Sequence, residues 1–173
     1  CKDKSKINWF RTKLKLQHWL LTNYYYTGGE WQYKEIKARI ICEKLHPGDI
    51  VDYKFSCFNG KPEYMFTCTD RKQGLKVTFF DLEFKRMPFA KNAPTSDNVE
   101  KPQNFELMCE LAGILAKGFP FVRVDFYNID GAVYFGEMTF FPGGGFNPFY
   151  PAEWDWKVGE LIDLTKLKQE YVC

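Results

Sequence analysis

Two apolar runs, at 121–128 and 132–140, flank Asp130-Gly131, and each carries a carboxylate in its interior. Phe121, Val122, Val124 and Phe126 make the first run a strand, and Phe135 and Phe140 do the same for the second. Hydrophobic hairpins of this kind sit centrally in a sheet, where an unpaired carboxylate is costly. Side chains alternate along a strand, so Arg123 and Asp125 share a face, as do Glu137 and Thr139. Asp125 and Glu137 stand directly opposite if the connecting loop has an odd number of residues. Opposed Cβ atoms lie about 4.5–5.5 Å apart, a separation at which two like charges destabilise the pairing. Either these charges face water, or a cation resolves the conflict. Magnesium suits the second case, because it takes carboxylate oxygens together with phosphate oxygens and water. Arg123, on the same face, would then stabilise charge developing on a transferred phosphoryl group.

The remaining punctuation predicts an α+β fold with a sheet that is mostly antiparallel and has flanking helices. Asn59-Gly60 is a hairpin signal between apolar runs at 50–58 and 63–69. Further strands are expected at 37–45, before a turn at 46–49, and at 75–80. Helices are expected at 6–22, with Ile7, Phe10, Leu14 and Leu21 near one face, and at 103–117, with Leu107, Leu111, Ile114 and Leu115 inward. Residues 88–102 and 142–151 read as loops, and the tail around Trp154 and Trp156 as a short helix. With 173 residues, residues 1–173 are expected to form a single domain.

Composition narrows the partners. A net charge of +2 without a basic run gives no nucleic-acid signal. No apolar stretch is long enough for a transmembrane span, and the polar start does not resemble a signal peptide. Six scattered cysteines with no C-x-x-C pair, and two histidines, argue against zinc. Cys42, Cys57 and Cys68 lie in apolar runs and read as small buried side chains of a reduced, cytoplasmic protein. Gly143-Gly144-Gly145 lacks the pattern of a Walker-type phosphate loop and reads as a flexible turn.

Arg123-Val124-Asp125 followed by Glu137-Met138-Thr139-Phe140-Phe141-Pro142-Gly143 resembles the metal-binding hairpin of ATP-grasp enzymes, written Arg-x-Asp and then Glu-x-Asn-x-x-Pro-Gly. The resemblance implies that Asp125 and Glu137 are magnesium ligands and that Arg123 is catalytic. Thr139 stands where the family has Asn as third ligand. An apolar strand running into Glu43-Lys44-Leu45 is similar to the family's adenine hinge, which implies adenine contacts for those three residues and ribose contact for Asp52. Lys54 shares a face with Asp52 and would reach phosphate.

Asn23-Tyr24-Tyr25-Tyr26, Asp52-Tyr53-Lys54-Phe55, Thr69-Asp70-Arg71, Phe80-Asp81-Leu82 and Gly118-Phe119-Pro120-Phe121 resemble, in order, the TupA-like branch of that family. Arg71 in this pattern is expected to meet phosphate or an acidic substrate, and Lys85 either to meet phosphate or to face water. Tyr24, Tyr25, Tyr26, Trp31 and Tyr33 either pack a loop or stack on sugar rings.

The resemblance implies an ATP- and Mg2+-dependent carboxylate–amine ligase acting through an acyl phosphate, in bacterial surface-polymer or capsule synthesis. Its partners would be a small-molecule or polymer-precursor carboxylate, an amine, and other proteins of a polysaccharide locus. The alternative is a glycan-binding or scaffolding remnant without catalysis. Family members place a phosphate-binding lysine and a Gly-rich loop in an earlier subdomain. Neither precedes Ile40, so the chain is expected to be a fragment lacking the N-terminal part of the full fold.

Overall fold

The computed structural model describes residues 4–44, 46 and 50–166. The chain forms two compact units, residues 1–47 and 48–173. In the first, helix α1 spans Trp9–Leu21. Asn8 caps it by accepting a hydrogen bond from the Arg11 amide at 3.0 Å. Helix α2, Tyr25–Gly28, is a single turn, and Trp31–Tyr33 is a 3-10 turn. Tyr24 and Tyr33 meet edge-on at 5.3 Å.

The second unit is built on strands β1 (Asp52–Phe58), β2 (Lys61–Thr69), β3 (Lys76–Phe80), β4 (Phe121–Ile129) and β5 (Ala132–Thr139), with helix α3 (Phe105–Ala116) between β3 and β4 and helix α4 (Glu153–Gly159) after β5. The order across the sheet is β3-β2-β1-β4-β5, and every neighbouring pair is antiparallel. The α+β class and the antiparallel pairing are thus as expected. Both tight hairpins close on two residues with positive φ, Asn59-Gly60 and Asp130-Gly131, which matches the twist of the flanking strands.

The expected strand at 37–45 is not formed: residues 37–44 are irregular and Leu45 lies outside the described residues. A hairpin between that segment and β1 would need a free edge on β1. Both edges are taken, one by β2 and the other by β4. Cys42 is exposed as a result, whereas Cys57 and Cys68 are buried as expected. The expected turn at 46–49 lies mostly outside the described residues.

The two faces of the sheet are covered differently. On one, Tyr53, Phe55, Met65, Val122, Val124 and Phe126 pack against α3 through Phe105, Met108, Ala112 and Ala116. That helical stripe differs from the expected one: Leu107 and Ile114 are exposed, while Leu111 and Leu115 flank the core. The two alanines allow a close approach of helix to sheet, and the bulkier leucines are left at the margins. Phe55 is fully buried, with ring centroids 5.9 Å from both Phe105 and Phe126. Phe55→Ala is expected to cost about 3–5 kcal/mol, read from the urea midpoint at unchanged slope.

On the other face, aromatic residues of β2 and β3 (Tyr64, Phe66, Phe79) pack with Phe89, Phe149, Trp154 and Val158 from the loops and α4. The β1–β4–β5 part of this second face carries the charges.

Candidate functional site

The ladder registers assemble the charged centre. Lys54 lies opposite Asp125 across β1 and β4, and Asp125 lies opposite Glu137 across β4 and β5. Continuing the same line, Phe66 of β2 faces Lys54 and Phe79 of β3 faces Phe66. One transverse row therefore reads Glu137, Asp125, Lys54, Phe66, Phe79, from the edge at β5 to the edge at β3.

The juxtaposition of Asp125 and Glu137 does not come from an odd loop. The turn has two residues, and Phe126 pairs with Phe135, so a regular ladder would set Gly136 opposite Asp125 and Glu137 opposite Val124, on the face that α3 covers. A bulge at Gly136 shifts the register by one and turns Glu137 to the charged face. Glycine is needed there for close approach: a Cβ would stand 3.0 Å from the Asp125 carbonyl oxygen and 3.2 Å from the Tyr127 ring.

Asp125 is 1% exposed and is met from two sides. Arg123 donates Nε to Oδ1 at 2.7 Å and Nη2 to Oδ2 at 2.8 Å. The Lys54 ammonium closes on Oδ2 from β1. Nη2 of Arg123 is also 2.6 Å from Glu137 Oε1 and 2.8 Å from Thr139 Oγ1. Oxygens of Asp125, Glu137 and Thr139, the three residues expected to hold metal, thus converge on one cationic nitrogen. Thr139 Oγ1 and Glu137 Oε1 are 3.2 Å apart.

Asp52 is 2% exposed. Its Oδ2 accepts an ion pair from Lys54 at 3.3 Å and another from Arg71, which reaches in from the surface. Its Oδ1 is buried and has no hydrogen-bond partner. An unmet acceptor inside a polar centre suits a donor from a ligand. Asp52, Lys54, Arg71, Arg123, Asp125, Glu137 and Thr139 therefore form one connected network.

The other expected residues lie elsewhere. Glu43 and Lys44 are exposed on irregular chain in the first unit, without the strand expected to present them, and Leu45 lies outside the described residues. Lys85 is exposed and pairs with Glu83 beside it, which raises its pKa. Burial pushes the Cys57 thiol up to about 12 and Cys109 to about 11, so neither supplies a thiolate at neutral pH.

One residue of this centre was not singled out from sequence. Gly136 carries a readable signal, because a glycine inside a strand marks a bulge or a close backbone approach.

Among the described residues no three His, Cys, Asp or Glu side chains converge as a metal cage. Two carboxylates and a hydroxyl remain, an all-oxygen set of the kind magnesium uses when phosphate and water complete its shell. No helix among the described residues is long and apolar enough to cross a membrane. Compared with known proteins, the chain matches the sequence model of a family described as TupA-like ATPgrasp over residues 1–163. No curated protein matches it, and no solved structure does.

Proposed function

The chain belongs to the TupA-like ATP-grasp family, and from that premise we propose that it is the catalytic part of an ATP-dependent carboxylate–amine ligase. ATP-grasp membership carries the coarser statement, an ATP-dependent, ligase-type enzyme that typically uses ATP and Mg2+. The proposal adds the acyl-phosphate route: ATP phosphorylates a carboxylate, and an amine displaces the phosphate. The observation that carries it is the convergence of Asp125, Glu137 and Thr139 oxygens on a single positive atom, at 2.6–2.8 Å.

Asp125, Glu137 and Thr139 would hold magnesium. When bound, the metal would neutralise charge on phosphoryl oxygens. The chain's own residues do the positioning. Lys54 and Arg123 fix the Asp125 carboxylate, and Arg123, released from the carboxylates, would turn to the reacting phosphoryl and carboxylate groups. Asp52 would accept a hydroxyl donor, the ribose in this reading, through its open Oδ1. Arg71, half-exposed and paired to Asp52, would meet phosphate or an acidic substrate. Adenine contact by Glu43, Lys44 and Leu45 rests on the family pattern alone. A surface-polymer or capsule precursor as carboxylate, an amine partner, a cytoplasmic location and companions from a polysaccharide locus also rest on the family.

Calorimetric titration with Mg-ATP, repeated with EDTA, tests the reading. Metal-dependent binding is expected. Binding of a glycan with no response to nucleotide would instead favour a non-catalytic sugar-binding module.

A further inference from the structure

One nitrogen of Arg123 occupies the seat that a divalent cation would take. Nη2 lies 2.8 Å from Asp125 Oδ2, 2.6 Å from Glu137 Oε1 and 2.8 Å from Thr139 Oγ1. The Thr139 hydroxyl points its hydrogen at Glu137 Oε1, 3.2 Å away, so it meets Nη2 through a lone pair. All three oxygens therefore offer lone pairs to one point, as metal ligands do. Nη2 has only two hydrogens for three acceptors, so the guanidinium fits the seat imperfectly. Magnesium would satisfy all three, and would approach them to about 2.0–2.1 Å, closer than Nη2 does. A guanidinium and a metal ion cannot share those oxygens, and their like charges repel at such range.

The surroundings suit an exchange. Lys54 reaches Asp125 from β1 independently of Arg123, so the buried carboxylate keeps a cation when the guanidinium leaves. The seat opens outward, because Glu137 lies on the edge strand β5 with its side chain 61% exposed. Asp52, Asp125 and Glu137 are matched by Lys54, Arg71 and Arg123 in the network as it stands. A divalent cation in the seat adds two positive charges. A polyphosphate offsets them and gives the displaced guanidinium a partner for its planar fork.

We infer that Arg123 is the resident counter-ion of the metal seat, displaced by the divalent cation and taken up by the polyphosphate of the nucleotide. Metal and nucleotide binding are then coupled through this one side chain, and metal alone is held back by the contacts it must break. The inference deepens the proposed ligase reading and rests on it for the nucleotide.

Calorimetric titration with Mg2+ alone, and separately with Mg-ATP, tests the inference. Arg123→Met is expected to bind Mg2+ alone about tenfold more tightly than the unsubstituted protein, within the usual range of coupling. Mg-ATP affinity is expected to fall in the same variant. Arg123→Lys keeps the charge beside Asp125 but loses the fork, so it is expected to show part of the gain in Mg2+ affinity. It carries the test if Arg123→Met does not fold. Arg71→Met removes the same charge from the network without touching the three oxygens, and is expected to shift Mg2+ affinity far less. The inference is overturned if neither Arg123 variant gains Mg2+ affinity, or if Arg71→Met gains as much as they do. Mg-ATP binding by the unsubstituted protein without that gain would overturn the exchange and keep the ligase reading. The gain in a protein that ignores Mg-ATP would sustain the resident counter-ion and remove the ligase reading.

Discussion

Asp125→Asn is expected to abolish metal-dependent Mg-ATP binding and to destabilise the second unit by about 3–5 kcal/mol. The carboxylate is buried between the Arg123 guanidinium and the Lys54 ammonium, which reach it from neighbouring strands. Asparagine keeps the shape but removes the charge that offsets both cations. Its amide NH2 also turns a donor towards one of them, so a hydrogen bond is lost and a repulsion gained.

Glu137→Gln separates the two effects. The Glu137 side chain is 61% exposed, so its ion pair with Arg123 is worth at most about 1 kcal/mol after solvent screening. Binding of Mg-ATP should nonetheless be lost, because a metal held between β4 and β5 would lose one of its two anionic ligands. Urea denaturation and calorimetry read these outcomes separately. Retained metal-dependent binding in the double variant Asp125→Asn, Glu137→Gln would remove the metal assignment.

Gly136→Val is expected to weaken Mg-ATP binding at least about tenfold and to cost about 1–3 kcal/mol, the usual range for a side chain forced into occupied space. A Cβ at this position presses on the Asp125 carbonyl oxygen, so the strand either strains or abandons the bulge. Without the bulge, Glu137 falls opposite Val124, on the face against α3. Deleting Gly136 is the discriminating companion. The ladder would then run without interruption from the Phe126–Phe135 pair to an Asp125–Glu137 pair, and the later pairs would keep their partners. The deletion should bind Mg-ATP more tightly than the valine variant. If it does not, the register is not what gathers the ligands.

Hairpins were the most legible part of the sequence. Asn59-Gly60 and Asp130-Gly131 fix their turns locally, and the β4–β5 strands show their charges against an apolar background. Alternation puts Arg123 with Asp125 and Glu137 with Thr139 on shared faces, but the bulge at Gly136 is what brings the two pairs together. What depends on distant partners was hidden. Residues 37–45 look like a strand for β1, but β4, from far along the chain, holds the edge they would need. The inward stripe of α3 was misplaced because Ala112 and Ala116 carry little hydrophobic weight in sequence, yet their small size is what brings the helix onto the sheet.

The pairing of β1 with β4 has a kinetic side. Each hairpin is local and can close within its own stretch of chain, but Lys54 and Asp125 are 71 residues apart. Joining them requires closure of a long loop, the slow kind of step in sheet formation. Before that docking, Lys54 and Asp52 belong to one ribbon and Arg123 and Asp125 to another, each free to stay hydrated. The centre is therefore expected to form late in folding, with the loss of water from its ions coinciding with their mutual neutralisation.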